Sequence, residues 1–382
     1  MNALKNYFYS NRKILRKRKN NSMKYGTLFL LLFLCTWSAR AQFVAPNDRE
    51  IGQLKKLVND DPQAGKLYRN IKKLADQALS DTPNPVDTVV SEGHLATDPR
   101  KIVTTQSLKD IEKIYDLAIA YRIEDDKAYR DKALAFITAW AMVNQPMGNP
   151  INDTKFEALF FAYDLVKKEA TADQKKTITG WLQRMADAEI ATAQPKTKKT
   201  TFNNWNSHRL KVIGAIAYVL DDARYKAYID EQLPIQIERN LLPDGTGIDL
   251  LERDAFHYHI YTLEPLISLA TVLKRATGKD FYVYTSPSGA SIKNSVDYLI
   301  PFVSGEKTHP EFVNSQVPFD KKRAANHEAG YETGALFHPA SGYGVLIQAS
   351  YFDPSCLDVV KKRSGNANTY PSWQAVLNAI EK

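Results

Sequence analysis

The sequence predicts an all-α protein built from successive antiparallel helix pairs. Three observations predict it. Apolar residues recur at helical spacing through most of the chain beyond residue 107. The helical stretches are of similar length. The connections between them are short and carry Pro, Gly or Asp, as in Gly148-Asn149-Pro150, Pro195 and Pro243-Asp244-Gly245. The residues by themselves fit two arrangements, an open α-solenoid or a closed (α/α) toroid. No fixed-period repeat motif is visible, which weighs against TPR- or HEAT-like arrays. Of the 382 residues 44% are hydrophobic and 25% charged. That composition excludes a disordered tail, a collagen and a polytopic membrane protein.

Residues 1–41 read as a secretory leader. They hold nine Lys or Arg and no acidic residue, then an apolar run from Leu28 to Leu34, then Ala39-Arg40-Ala41 as a cleavage pattern. Met23 is a plausible start, since Met23–Ala41 forms a compact signal. The run is too short to span a bilayer, which takes about 20 residues. Cys35 lacks the small residues of a lipoprotein site before it. The mature chain, residues 42–382, is expected to be one periplasmic or secreted domain. The net charge of +8 belongs to the leader; the remainder has 42 basic and 43 acidic residues. A general nucleic-acid surface is therefore not supported, and no membrane contact is expected after cleavage. Cys356 stands alone in the mature chain, so stability must come from a large core.

The mature elements follow in order. Ser107–Ile123 puts Leu108, Ile111, Ile114, Tyr115 and Ala118 on one face. Lys127–Val143 does so with Tyr129, Ala133, Phe136, Ile137 and Trp140. Helices are predicted over Asp153–Lys168, Ala172–Ala191, Asn203–Leu220, Ala223–Asn240 and Asp249–Ala276. From Tyr282 the pattern breaks at Ser286-Pro287-Ser288-Gly289, Ser304-Gly305 and His338-Pro339, and returns near Gly342–Val360.

Two segments carry candidate chemistry. In Thr201–Arg209, polar side chains flank Trp205 at a helix start, where free N–H groups favour anions. Asn204 and His208 are four apart and share a face. The bland alternative is an Asn cap with Trp205 in the core. In Leu250–Leu266, a continuous helix would align Arg253, His257 and Tyr261 in one polar stripe, with Asp254 and Tyr258 beside it. A guanidinium, an imidazole and a phenol in line suit a cleft that holds a carboxylate and moves a proton. The bland alternative is a stripe packed on a neighbouring helix. His257 and His259 diverge on a helix, and no carboxylate- or Cys-rich partner segment supports a metal pair. A third, loop-like segment, His309–Ser315 with Phe319–Arg323, could line a far cleft wall.

These residues resemble the alginate lyase superfamily of polysaccharide lyases, over about Ser107–Val360. The markers are Gly148-Asn149-Pro150-Ile151-Asn152 leading to Ala162-Tyr163-Asp164-Leu165, then Asn203-Asn204 with His208. Arg253 with Tyr258-His259-Ile260-Tyr261-Thr262-Leu263-Glu264-Pro265-Leu266 completes them. The family has an Asn-Asn-His run; here Trp205-Asn206-Ser207 separates Asn204 from His208. The resemblance implies an (α/α) toroid, an incomplete barrel of about five to seven helix pairs, and β-elimination on 4-linked uronate polymers such as polymannuronate or glucuronan. It carries the catalytic tyrosine onto Tyr261.

Elimination must neutralise the C5 carboxylate before the C5 proton is acidic enough to leave. Arg253 and Asn204 are expected to do this, with His208 or His257 helping. Tyr261 is expected to act as base and acid, its pKa lowered by Arg and His charges. A pair with His208 as base is the variant, and Tyr258 the fallback tyrosine. Trp205, Asn203, Arg209, His259 and Arg323 are expected to bind the anionic polysaccharide. The scheme requires no metal or organic cofactor. The competing readings are a glycoside hydrolase using Asp249, Glu252 or Asp254, and a non-catalytic glycan-binding protein. Nothing in the sequence sets the oligomeric state.

Overall fold

The computed structural model describes residues 44–365 and 369–380. The leader expected over residues 1–41 lies outside them, as do Met23 and Cys35. The described residues form one compact unit.

Short-range polar chemistry divides the chain into helices. Asp61 ends α1 (Asp48–Asp60) and starts α2 (Pro62–Ala78): its backbone N–H bonds the Leu57 carbonyl, and its carboxylate accepts from the N–H groups of Gln63 and Ala64. Pro62 takes the first helical position, where a missing N–H costs nothing. Helices α3 (Pro99–Ser107) and α4 (Lys109–Glu124) follow. Asp125 closes α4 in the left-handed region at φ 61°, and Asp126 caps α5 (Lys127–Val143). After a loop come α6 (Pro150–Asp153), a 3-10 turn over Thr154–Phe156, and α7 (Glu157–Val166). A reciprocal Thr171–Gln174 cap opens α8 (Ala172–Thr192). Then come α9 (Asn204–Leu220), α10 (Ala223–Asn240), α11 (Ile248–Arg253) and α12 (Phe256–Thr277). The C-terminal part holds α13 (Ile292–Ser304), α14 (Pro318–Ala325), α15 (Tyr343–Ala349), α16 (Ser355–Ser364) and α17 (Trp373–Ile380).

The helices form an (α/α) toroid. An inner series runs α4, α7, α9, α12, α15, each packed on the next; α17 then reaches back to α1 and α2, and α2 to α4. Helices α5, α8, α10, α13 and α16 pack outside them. The inner helix α9 is buried on every face from Asn206 to Val219, as expected of a helix surrounded by others. Among the described residues the only β contacts are two isolated bridges, Leu241 with Gly247 and Pro310 with Leu336. No described helix is long and apolar enough to cross a membrane.

Several boundaries differ from expectation. Ser107–Ile123 spans the junction of α3 and α4, because Leu108 interrupts the helix. Asp153–Lys168 is a helix flanked by 3-10 turns. Asp249–Ala276 is two helices, because Asp254 is left-handed (φ 50°) and Ala255 extended (φ −154°). Helix α13 lies where the pattern appeared to break, and Gly342–Val360 contains the break between α15 and α16. Phe319–Arg323 lies within α14.

Gly148 sets the entry to α6. Its φ is +66°, and a Cβ there would collide with the Ala188 carbonyl of α8. Gly148→Ala should therefore destabilise the protein by roughly 2 kcal/mol or more, read by denaturant unfolding.

Candidate active site

The break at Asp254 builds the site. The segment following α13 holds this corner by hydrogen bonds to the exposed backbone. The Asp254 carbonyl accepts from Phe312 N–H (2.7 Å), and its carboxylate accepts from Asn314 N–H (2.8 Å) and Nδ2 (3.0 Å). Glu311 caps α12 from a distance: its two oxygens accept from the N–H groups of Phe256 (2.8 Å) and His257 (3.0 Å). These N–H groups lack intrahelical partners, so an anion there is doubly favoured.

The corner folds Arg253 back over Tyr258. The guanidinium carbon lies 3.9 Å from the ring centroid, and Nη1 donates to the phenol oxygen (2.7 Å) and to Asp320 Oδ1 (2.5 Å). Arg323 on α14 donates to the same phenol oxygen at 2.9 Å and lies against Phe319 and Tyr331. Asp320 is further held by Ser315 Oγ at 2.6 Å. Tyr258 is thus the joint between α12 and α14. Burial pushes its pKa up, despite the two arginines. The expected single-helix stripe of Arg253, His257 and Tyr261 does not exist, because Arg253 belongs to α11. The fold nevertheless brings the three to one cavity.

That cavity holds about 300 Å³ and is lined by Arg253, His257, Tyr258, Tyr261, Asn204, Trp205 and Arg323, all expected from sequence. Ser91, Glu92, Lys101, Ile151, Lys155, Phe319 and Tyr331 complete it. Within the described residues the Tyr261 hydroxyl makes no hydrogen bond; its ring lies 4.2 Å from that of His208. The expectation of a lowered Tyr261 pKa is corrected: burial raises it, Tyr331 and Glu264 add to that, and Arg323 opposes too weakly. The phenol is protonated at rest. His208 is buried; its Nδ1 lies 3.0 Å from Thr154 Oγ1. Burial, with Lys211 and Lys155 nearby, holds its pKa well below the usual value. Burial likewise lowers His257 to about 4, and its Nε2 lies 3.2 Å from the Tyr331 hydroxyl. Neither imidazole brings a positive charge at neutral pH, so neither neutralises a carboxylate by charge.

Lys155 was not foreseen. It is reached from the cavity and has no hydrogen bond or ion pair among the described residues. Desolvation by the surrounding protein lowers its pKa, Lys211 and Lys101 add to this and Glu264 opposes it, although the side chain itself remains exposed. Its position in a 3-10 turn gave no periodic signal. Asn204 anchors the facing wall: its N–H and Nδ2 donate to Asp249 at 2.9 and 2.6 Å.

Other expected residues point elsewhere. Asn203 caps α9 by accepting from Trp205 N–H. Arg209 is buried against Glu189 (3.3 Å) and donates to Asn206 and the Thr200 carbonyl, so it is a core ion pair and no substrate ligand. His259 is buried and bonds the Ser295 carbonyl through Nε2 at 2.9 Å, turned away from the cavity. The hydrolase carboxylates do not meet. Asp249 is sealed by donors from Asn204, Asn240 and Thr262. Glu252 pairs with Lys199 at 2.7 Å, and Asp254 holds the corner. None of the three lines the cavity. Among the described residues, no three His, Cys, Asp or Glu side chains gather as a metal-ligand group.

A second cavity, of about 360 Å³, shares His257 and Tyr261 with the first. Ile260, Glu264, Glu311, Glu332, His338 and Ser341 are among its other lining residues, and no Lys or Arg lines it.

The inner wall of the helical toroid thus presents an open phenol in one cavity with the unpaired Lys155. The chain belongs to the alginate lyase family, whose model matches residues 58–309. A polysaccharide lyase of Stenotrophomonas maltophilia (strain K279a) is 27% identical over 217 residues, covering 51% of this chain and 59% of that protein. The chain thus matches about three fifths of that relative's length. In fold it is similar to an alginate lyase from Bacteroides ovatus, with a TM-score of 0.64 and 17% identity over 88% of this chain and 98% of that one. It is also similar to alginate lyase A1-III of Sphingomonas species A1, with a TM-score of 0.53 and 19% identity over 79% and 95% of the two chains. Variants of A1-III with one tyrosine changed to phenylalanine, or one histidine to alanine, have been solved with a tetrasaccharide.

Removing the remote cap should loosen the start of α12. Glu311→Ala is expected to cost about 1–3 kcal/mol in denaturant unfolding, with Glu311→Gln losing less.

Proposed function

We propose that the chain is an exported polysaccharide lyase that cleaves 4-linked uronate polymers, polymannuronate or glucuronan, by β-elimination. The observation that carries this reading is the open Tyr261 hydroxyl in a cavity that also presents the unpaired Lys155. The carboxylate of the reacting uronate faces Lys155, with Arg253 and the remaining N–H of Asn204 nearby. Charge compensation there stabilises the dianion that forms as the C5 proton leaves. Tyr261, protonated at rest, gives its proton to the departing O4 as the C4–O4 bond breaks and the C4=C5 bond forms. His257, neutral and open to the cavity, accepts the C5 proton. His208 supports the Tyr261 ring from behind. The leader pattern of residues 1–41 supports export to the periplasm or medium.

Incubation of the mature chain with separate polymannuronate, polyguluronate, glucuronan, hyaluronan and chondroitin tests the reaction. A rise in ultraviolet absorbance from the conjugated C4=C5 bond is expected on polymannuronate or glucuronan. New reducing ends without absorbance would make it a hydrolase, and no change in either would favour a glycan-binding protein. Tyr261→Phe should lower kcat by about three orders of magnitude or more with the fold retained, and Lys155→Ala by about two. A base whose pKa is depressed to about 4 is neutral above that value. The acidic limb of kcat/KM should therefore lie near pH 4, well below an ordinary histidine's 6.5. A limb near 6.5 would remove His257 from the role of base.

A further inference from the structure

We propose that Glu264 is a specificity-determining residue that accepts the O2 and O3 hydroxyls of the sugar next to the reacting uronate. The inference rests on the lyase reading. Glu264 lies three residues after Tyr261 on α12, so both side chains face the same way. It lines the second cavity, which continues from the first through the shared Tyr261 and His257. Among the described residues it has no hydrogen bond and no ion pair, although it is only partly exposed. Gly344 leaves room for it: a Cβ at that position would lie 3.3 Å from Glu264 Oε1. The other two acidic groups lining this cavity are already engaged, Glu311 by two backbone N–H groups and Glu332 by the Gly330 N–H. A half-enclosed carboxylate with all its acceptor positions free is made for donors, and paired sugar hydroxyls are donors at the right separation for its two oxygens.

The polymer's geometry supplies those donors. In a 1,4-linked chain with both bonds equatorial, consecutive units are turned over relative to one another. Along one edge a carboxylate therefore alternates with an O2/O3 hydroxyl pair. The two cavities alternate in the same sense. The first offers Lys101, Lys155, Arg253 and Arg323 against a single acid, Glu92; the second offers Glu264, with Glu311 and Glu332, and no Lys or Arg. A unit whose carboxylate faces Lys155 places its neighbour's hydroxyl edge toward Glu264. The reverse register would set a carboxylate against Glu264 with no cation lining that cavity. Glu264 thus fixes which linkage of the chain lies over Tyr261, and it contacts O2 of the neighbouring unit, the position at which mannuronate and glucuronate differ.

The test uses steady-state kinetics on the polymer that the mature wild-type chain cleaves, with Glu264→Gln and Glu264→Ala. Circular dichroism and thermal melting check that both variants fold; Glu264→Gln keeps the volume and decides the matter if the alanine variant does not fold. KM is expected to rise about tenfold or more, with kcat changed much less. The same polymer acetylated at O2 and O3 should be a poorer substrate for the wild type by about tenfold or more in kcat/KM. Glu264→Ala should lose most of that discrimination. An unchanged KM with discrimination intact would overturn the inference while leaving the lyase standing. So would a fall in kcat alone, which would place Glu264 in the chemistry at Tyr261. A wild type that forms no unsaturated ends on any polymer of the panel would overturn the lyase reading itself, and this inference with it.

Discussion

The two-residue break between α11 and α12 is the constraint on which the site depends. Had the helix run on, Arg253 would have pointed along the same stripe as His257 and Tyr261 and could not have covered Tyr258. A left-handed Asp254 costs conformational energy. It is offset by hydrogen bonds from Phe312 and Asn314 and by the Glu311 cap on the new helix. All of these partners come from one segment after α13. The same segment leads into α14, which brings Asp320 and Arg323 to the Tyr258 phenol. Backbone repair and construction of the cavity wall are therefore the same event.

Charge is distributed with comparable economy. Arg253 is committed to Asp320, and Arg209 to Glu189 inside the core. Both order the protein before any ligand arrives. Lys155 has no such commitment among the described residues, and its exposed ammonium opens on the cavity, where an incoming carboxylate can reach it. The tyrosines divide in the same way. Tyr258 has its oxygen occupied by two guanidinium groups, whereas Tyr261 has its oxygen open.

Much of the fold was legible in the sequence. Helices α5, α8, α9 and α10 match their apolar periods within a residue or so, because each buries a regular face and carries Asp, Asn or Thr at its start. The 248–277 stretch misled, since Asp254 and Ala255 have no turn signature; a distant loop imposes the break. Of the site, Asn204 and Trp205 were readable at a helix start, Arg253, His257, Tyr258 and Tyr261 as adjacent polar lines on a helix, and Arg323 in a charged segment read as a loop. Arg209 and His259 carry the same chemistry but face the core, and only tertiary packing separates the two sets. Lys155 was invisible because a lysine in a short irregular turn looks like any surface lysine. The sign of the Tyr261 shift was also out of reach, since it depends on how much protein surrounds the ring.

His208 lies behind Tyr261 with its Nε2 closed off from solvent. Bulk water has no direct route to that nitrogen, so the imidazole cannot readily draw a proton from the medium. Its electrical state is therefore insulated from the acidity outside, and the phenol in front of it works against a wall of constant charge. That insulation keeps the electrostatics behind the phenol the same over a wide range of outside acidity.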